Sequence, residues 1–295
     1  MKDLNSENKY VCNFCNENID FIWSSGINNS NPNARICYDC KQKAISEASK
    51  IIKVNTIASS EAKNYSYAPD PKTSKISENS TYVHYCPNET IQGVAIHEAP
   101  NVNKPIISDA SSVILSEPLD VSKFSLIYAG AQKNLGPAGA TMVLIKDSLL
   151  DQVKRDIPSM MSYKVHIDKD SSFNTPPVFP IYCILLNLRL IKEEGLDSIS
   201  KKNKIKSDLI YSEIDRNKCF AGCSDVSDRS QMNATFNLNE GFDGELFNKI
   251  CLKNNISGLN GHRSVGGYRA SIYNALPLES LNILVDSMKE FELNQ

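Results

Sequence analysis

Short apolar runs and amphipathic stretches alternate along most of this 295-residue chain. Runs rich in β-branched and aromatic residues predict strands, and apolar positions three or four residues apart predict helices. The first half gives a predicted helix at 41–52 and strands at 54–57, 82–86, 105–108, 126–129 and 141–145. The second half gives predicted helices at about 180–194, 196–214, 243–254 and 278–293, with strands at 232–238 and 268–273. We therefore predict an α/β fold with a mostly parallel sheet in a large domain and a smaller α+β C-terminal domain.

The apolar content of these runs also predicts which of them are buried. The strands at 126–129 and 141–145 flank a small-residue loop, and their apolar runs predict that both are buried. The helix at 180–194 is rich in Ile and Leu and is likewise expected to be buried. The helix at 196–214 is amphipathic, and its lysines are expected on the exposed side.

The composition is that of an ordinary globular chain, with 41% hydrophobic and 22% charged residues. A net charge of -2 and a pI near 6.1 provide no basic surplus for nucleic acid. No apolar run approaches the length of a membrane span, and the opening MKDLNSENKY has no apolar signal-peptide core. We therefore expect a cytoplasmic protein that binds neither nucleic acid nor a membrane.

A small-residue loop between two of the predicted strands contains a lysine. Lys133 lies in IYAGAQKNLGPAGATMVLI, whose glycines and proline predict a tight connection. Loops held at strand ends commonly carry catalytic groups, although most loop lysines are merely solvated. Two upstream predicted strands are followed by Thr90, in NETIQG, and by Asp109, in SDASS, and ligands of open α/β sheets bind beyond such strand ends. Taken alone, the two segments also suit a turn and a helix N-cap.

A cluster of cationic side chains lies near the C-terminus. The segment GHRSVGGYRASIYNA places His262, Arg263 and Arg269 among glycines. Arginine forks suit carboxylate and phosphate oxygens, and glycines let the backbone approach an anion. Without further context, the segment would also suit a solvated, arginine-rich hairpin.

Four segments together carry a family resemblance. AGAQKNLGPAG, NETIQG, SDASS and GHRSVGGYRASIYNA resemble segments of the phosphoserine aminotransferase family, in the same order, and the resemblance runs from about residue 42 to the C-terminus. It implies the fold of type I transferases that depend on pyridoxal 5'-phosphate (PLP), with Lys133 as the residue that bonds to this cofactor. It also implies cofactor contacts from Thr90, Asp109 and Gln132. Asp109 would keep the ring nitrogen protonated, which the cofactor needs in order to withdraw electrons.

The resemblance further implies an active site shared by two subunits. Asn174 and Thr175, in FNTPP, match residues that bind the neighbour's cofactor phosphate. His262 and Arg263 match a pair that meets the substrate phosphate from the partner subunit, and Arg269 matches the arginine that holds the amino-acid carboxylate. A homodimer is thus implied. The implied reaction, in serine biosynthesis, exchanges amino groups between phosphoserine with 2-oxoglutarate and 3-phosphohydroxypyruvate with glutamate.

The first forty residues do not share the resemblance. Their two CxxC pairs, Cys12 with Cys15 and Cys37 with Cys40, are separated by 21 residues, slightly wider than the usual zinc spacing. Four thiolates could hold a tetrahedral structural zinc ion. The alternative is a set of reduced thiols, because alignment with the family puts Cys40 where a tryptophan stacks on the cofactor ring. The metal question stays open at this point.

These features give the domain division and the alternatives for function. We predict a divergent segment at 1–40, an incomplete PLP-binding domain at 41–175 and a C-terminal domain at 176–295. Trp23 lies away from the stacking position, and Arg35 is the only arginine before residue 41, so we expect weaker cofactor binding than in a complete relative. A non-catalytic relative, with a zinc-stabilised N-terminus, is therefore the alternative to an active aminotransferase. A PLP-dependent lyase or desulfurase is disfavoured by the C-terminal segment.

Overall fold

A six-stranded sheet forms the centre of the larger part of the molecule. The computed structural model describes residues 18–22, 49–50, 52–70, 75–263 and 265–295. Within them the strands of this region are β1 (Asn18–Ile22), β2 (Val54–Ala58), β3 (Ser80–Tyr85), β4 (Asn88–Glu89), β5 (Val94–Ala95), β6 (Ile106–Asp109), β7 (Leu126–Gly130) and β8 (Thr141–Ile145). The predicted helix at 41–52 lies almost entirely outside the described residues, as do the two CxxC pairs.

The strand order in the large sheet is β2-β1-β3-β6-β7-β8. All neighbouring pairs are parallel except the last, in which β8 runs antiparallel to β7. β4 and β5 form a separate antiparallel pair just beyond the end of β3. The predicted mostly parallel α/β fold is confirmed, and the sheet also includes β1, a segment that the sequence placed before the large domain. Because β3, β6 and β7 are parallel neighbours, their carboxyl ends meet at one edge of the sheet.

Apolar side chains cover both faces of this sheet. Val83, Ile106 and Ile127 belong to one buried cluster, while the adjacent residues Ile107 and Leu126 belong to another. Successive residues of a strand point to opposite faces, so continuous apolar runs in β6 and β7 fill both clusters. The strand ends are thereby held rigidly.

The C-terminal part forms a second core of its own. Its strands β9 (Phe220–Gly222), β10 (Asn233–Leu238) and β11 (Tyr268–Ser271) make an antiparallel sheet in the order β11-β10-β9. The helices whose bounds the structure describes are α1 (Asp147–Leu150), α2 (Tyr163–Asp168), α3 (Val178–Glu194), α4 (Leu196–Arg216), α5 (Gly244–Lys253) and α6 (Leu278–Leu293). Short 3-10 turns occur at Glu61–Lys63, Val121–Lys123, Ser159–Met161 and Val226–Asp228. Fully buried phenylalanines from β10, α5 and α6 pack in this core, as the predicted α+β arrangement requires.

Two predictions of burial were wrong. β8 is an edge strand with Leu144 43% exposed, because it has a neighbour only on the β7 side. α3 has no buried residue, and Phe179 and Leu190 are 71% and 64% exposed. Among the described residues, the large-sheet core packs against one side of α3, through Ile184 and Leu188. Apolar composition predicted burial correctly for the inner strands but not for elements at the margin.

Lys206 on α4 is also an exception to the predicted exposed lysine face. Its side chain is buried, and its ammonium donates to the carbonyls of Ile272 at 3.0 Å, Tyr273 at 2.7 Å and Leu276 at 3.2 Å. Burial lowers the pKa of Lys206 to about 8. Three carbonyl acceptors compensate for the lost hydration of this cation.

Within the described residues, no helix is long and apolar enough to cross a membrane.

Candidate active site

Lys133 lies three residues beyond the end of β7, in a loop that the backbone itself closes. Gly136 N donates to Ala131 O at 2.8 Å, and Ala131 N donates to Ala140 O at 3.0 Å. Ile184 of α3 packs beside Gly136, where a side chain would meet it at 3.0 Å. The small residues of the loop therefore allow the close approach of the helix, and Lys133 is left half-buried.

The amino group of Lys133 points toward two hydroxyl groups. Its Nζ donates to Thr90 Oγ1 at 2.8 Å and to Ser112 Oγ at 2.5 Å. The two hydroxyls hydrogen-bond each other at 3.0 Å, which closes a triangle of polar atoms. Thr90 follows β3 and β4, and Ser112 follows β6, so three neighbouring strands contribute to the triangle. The ring of Tyr273, from the C-terminal core, lies 5.8 Å from Nζ.

Asp109 ends β6 and is paired in register with Tyr128 of β7. Ser111 donates to Asp109 Oδ1 from its backbone N at 3.1 Å and from its hydroxyl at 2.6 Å. The same hydroxyl accepts from Gly130 N at 3.0 Å. The structure thus places Asp109 and Lys133 beyond neighbouring strand ends, with Ser111 bridging the two segments.

Buried titratable groups surround this carboxylate. Burial lowers the pKa of His84 to about 4, although the nearby charge of Asp109 opposes the shift. His84 Nε2 and the hydroxyl of Tyr128 lie 2.9 Å apart. The pKa of Tyr128 is raised well above its usual range, first by burial and then by the charge of Asp109. Burial likewise raises the pKa of the Cys86 thiol to about 12. His84, Tyr128 and Cys86 are therefore neutral at physiological pH, and none of them brings an opposing charge to Asp109.

Glu89 lies beneath the Thr90 turn and is buried. Its Oε2 accepts from the backbone N of Gln92 at 2.6 Å and of Ile91 at 3.0 Å, which closes the turn. Burial raises the pKa of Glu89 to about 7, and these backbone donors together with the charges of Lys133 and Arg269 act in the opposite direction. The carboxyl of Glu89 thus lies within electrostatic range of both cations.

Arg269 comes to the site from β11, where it pairs with Thr235 of β10. It is half-buried, and its backbone N donates to Leu259 O at 2.7 Å. The pKa of His262 is lowered by partial burial and by the charges of Arg269 and Arg263, so the three predicted cationic positions are electrostatically coupled. Arg263 itself is exposed.

The remaining predicted positions lie farther from the lysine amine. Gln132 is exposed, and its amide oxygen would lie 2.5 Å from a Cβ built on Gly130, so glycine leaves room for the amide. Asn174 and Thr175 lie in an exposed loop before α3. Across the described residues, no hydrogen bond joins these two side chains to the Lys133 triangle.

Several residues of the site were not predicted from the sequence. Asn134 is 3% exposed; its Nδ2 donates to Ile114 O at 3.1 Å and to Ser112 O at 3.4 Å, and its Oδ1 accepts from Asn274 N at 3.1 Å. Asn187 of α3 donates to the carbonyl of Asn134 at 2.8 Å. Ser112 and Glu89 stood within the quoted motifs and could have been found as polar residues at strand ends. Asn274 also stood within a quoted motif, but its bond to Asn134 could not have been found, because no local pattern links it to the lysine loop.

The donor set matches the chemistry of the cofactor that the sequence resemblance implies. PLP has an aldehyde that bonds to a primary amine, a ring nitrogen that a carboxylate can keep protonated, and a ring oxygen that hydroxyls can bind. Lys133, Asp109, Thr90 and Ser112 offer these groups at adjoining strand ends. By contrast, the described ranges contain no group of three His, Cys, Asp or Glu side chains arranged to hold a metal ion.

Comparison with known proteins gives the same assignment. The Aminotransferase class-V model matches residues 41–284. The phosphoserine aminotransferase of Flavobacterium psychrophilum is 52% identical over 84% of this chain and 70% of its own length, and that of Azobacteroides pseudotrichonymphae is 47% identical over 85% and 70%. Among solved structures, the phosphoserine aminotransferase of Bacillus circulans subsp. alkalophilus superposes with a TM-score of 0.85 at 38% identity, covering 95% of this chain and 74% of that one.

A second solved structure adds the cofactor. The PLP-bound phosphoserine aminotransferase of Trichomonas vaginalis superposes with a TM-score of 0.79 at 35% identity, covering 92% of this chain and 75% of that one. This chain therefore spans about 70% of the length of its relatives and shares their fold throughout that span. The chain belongs to the phosphoserine aminotransferase family of the class-V, PLP-dependent aminotransferases.

Proposed function

We propose that this chain exchanges amino groups between phosphoserine with 2-oxoglutarate and 3-phosphohydroxypyruvate with glutamate, with PLP as its cofactor. The observation that carries the proposal is the Lys133 amine, held by two hydroxyls beside Asp109 at adjoining strand ends. Identities near 50% to proteins named phosphoserine aminotransferase support the choice of substrate.

When bound, PLP supplies an aldehyde for covalent bonding to amines and an electron-withdrawing ring. Lys133 Nζ would hold the cofactor and, with a substrate amine bound, would move the proton at the substrate Cα as a general base. Asp109 holds the proton of the ring nitrogen through charge and hydrogen bonding. The neutral state of the buried side chains around Asp109 leaves its negative charge available for this task. Thr90 and Gln132 complete the cofactor contacts from this subunit.

We assign the substrate's two anionic groups to different cations. Arg269 binds the amino-acid carboxylate, because its β11 position brings it within electrostatic range of the Lys133 site. His262 and Arg263 bind the substrate phosphate of the neighbouring subunit. Asn174 and Thr175 likewise bind the neighbour's cofactor phosphate, which accounts for their exposure in a single chain.

A homodimer is part of this proposal, and α3 supports it. Val178, Phe179 and Leu190 are 69%, 71% and 64% exposed on a helix whose other side packs against the lysine loop. Exposed apolar surface of this kind marks protein contacts. The helix directly follows Asn174 and Thr175, so a partner seated on it would lie next to the residues assigned to its site.

We further place the protein in the cytoplasm and in serine biosynthesis. Each of the five cysteines in the described residues is a free thiol, as expected in a reducing compartment. Run toward phosphoserine, the proposed reaction supplies the phosphorylated form of serine, which a separate loss of phosphate converts to that amino acid.

The decisive experiment combines colour and turnover. The purified chain mixed with PLP should gain the visible absorbance of covalently bound cofactor and should form glutamate from phosphoserine and 2-oxoglutarate. Lys133→Ala should lose both properties, whereas Lys123→Ala, a change at an exposed lysine nearby, should keep both. A colourless, inactive wild-type chain would instead favour a non-catalytic relative.

A further inference from the structure

The triangle of Lys133, Thr90 and Ser112 defines a place for a lysine amine that is not bonded to cofactor. Both hydroxyl oxygens accept hydrogens from Nζ, and the hydroxyls are linked to each other. A buried ammonium requires such acceptors, because it loses hydration and has three N–H groups to satisfy. Ser112 offers a hydroxyl to the site described above, but no step of the proposed reaction assigns it a role.

We propose that Ser112 is a further catalytic residue, whose hydroxyl, together with that of Thr90, holds the amino group of Lys133 whenever the lysine is released from the cofactor. This inference rests on the proposed function. It adds a docking position for the released amine, which keeps that amine beside the substrate Cα during the part of the cycle in which it must move a proton.

Ser112 is fixed well enough to serve as such an acceptor. Its side chain is 4% exposed. Asn134 Nδ2 donates to the Ser112 carbonyl at 3.4 Å, so the residue that follows the lysine also holds the serine. On the other side, Ser111 anchors the same turn to Asp109 and to β7. The acceptor and the lysine loop therefore belong to one connected network of hydrogen bonds.

The proton balance of the step explains why acceptors are needed there. The Cα–H bond breaks, its electron pair stays on the substrate, and the proton forms a new N–H bond on Lys133. The neutral amine thereby becomes an ammonium ion. Two hydroxyl oxygens at 2.5 and 2.8 Å stabilise that charge at the moment it forms. The hydroxyls themselves neither gain nor lose a proton.

A serine in the same turn provides a matched comparison. Ser116 is buried to a similar degree, but its hydroxyl donates to Val113 O at 2.7 Å and serves only the local backbone. Ser116→Ala therefore removes a buried hydroxyl without touching the lysine. Both Ser→Ala changes delete a single oxygen atom, so any general effect on packing appears in both variants.

The first test needs no cofactor. In the PLP-free protein, the rate at which formaldehyde and borohydride methylate Lys133 is followed by mass spectrometry of the peptide. Loss of a hydrogen bond to the ammonium should free the amine and speed its methylation about tenfold in Ser112→Ala. Ser116→Ala should methylate at the wild-type rate. Equal rates in Ser112→Ala and the wild type, or equal acceleration in both variants, would overturn the proposal.

The second test uses the PLP-loaded protein and α-methylglutamate, whose amine can displace the lysine but which has no Cα proton to transfer. Because Ser112 stabilises the released amine, Ser112→Ala should raise the concentration needed for half-displacement about tenfold, as followed by absorbance. Inhibition by glutarate, which has no amine, should be unchanged. An unchanged half-displacement concentration would also overturn the proposal. A wild-type chain that never bonds PLP would refute the proposed function, while the methylation contrast would still test the docking position.

Discussion

Replacing Asn134 with alanine should loosen the lysine loop and the joint between the two cores together. The asparagine side chain bonds Ile114 O at 3.1 Å in the large-sheet region and accepts from Asn274 N at 3.1 Å in the C-terminal region. Its third contact, to Ser112 O, is longer at 3.4 Å and should contribute less. Truncation leaves the buried Ile114 carbonyl and the partly buried Asn274 N–H without their amide partner.

The expected loss follows from these two groups. An unsatisfied buried polar group costs about 1–3 kcal/mol, so two of them together should lower the free energy of unfolding by about 3 kcal/mol. Urea unfolding of the PLP-free protein measures this loss as a lower midpoint at an unchanged slope. The control is Asn101→Ala, at an exposed asparagine, which should change the free energy by less than about 0.5 kcal/mol.

The size of the stability loss in Asn134→Ala decides whether this side chain connects the two cores. A loss below about 1 kcal/mol in Asn134→Ala would mean that water or local movement satisfies the exposed groups, and the joint would then not depend on this side chain. A loss of the expected size together with slower PLP bonding to Lys133 would support the connection of both cores and the lysine loop through Asn134, because the same side chain also holds Ser112.

Three further predictions address charge and assembly. Burial raises the pKa of Glu89 from 4.5 to about 7, so between these pH values the folded state binds a proton that the unfolded state has released. The stabilisation by this proton is complete below pH 4.5 and is lost as pH rises through 7. Glu89→Gln should remove a decline of about 3 kcal/mol across that range, and parallel urea-midpoint curves for the two PLP-free proteins would contradict it. Arg269→Ala should lower kcat/KM for phosphoserine and glutamate alike. Arg263→Ala should lower kcat/KM only for phosphoserine, by a factor that corresponds to about 2 kcal/mol of lost binding. Equal losses for the two substrates in Arg263→Ala would mean that the phosphate assignment is wrong. Phe179→Glu should produce inactive monomers in sedimentation, and an active monomer would refute the shared site.

Local sequence patterns were sufficient for the inner part of the sheet. Continuous apolar runs gave β6 and β7 and put Asp109 and Lys133 at or just beyond their ends. This worked because a buried parallel strand must be apolar on both faces and must end where the chain meets solvent or ligand. The turn at Thr90 was located for the same reason. The roles of Asp109 and Lys133 came from the family resemblance and stay predictions.

Contacts between distant segments could not be predicted in this way. Asn134 and Asn274 are 140 positions apart, and neither has a pattern around it that specifies the other. The exposure of α3 also could not be predicted, because an apolar helix has the same sequence whether its own chain or a second subunit covers it. The burial of Lys206 depends on carbonyls 66 to 70 positions away.

The buried ammonium of Lys206 has a consequence for protein engineering. The carbonyls of the turn at 272–276, which carries Tyr273 and Asn274, accept from a cation supplied by α4, and the Tyr273 carbonyl also accepts from the backbone N of Leu276 at 3.0 Å. A chimera that transplants only the segment GHRSVGGYRASIYNA into another scaffold would leave the carbonyls of Ile272 and Tyr273 without the lysine donor. The transplant should hold its shape only if the host provides a lysine at the matching helix position, so the motif and a residue more than fifty positions upstream form a single transferable unit.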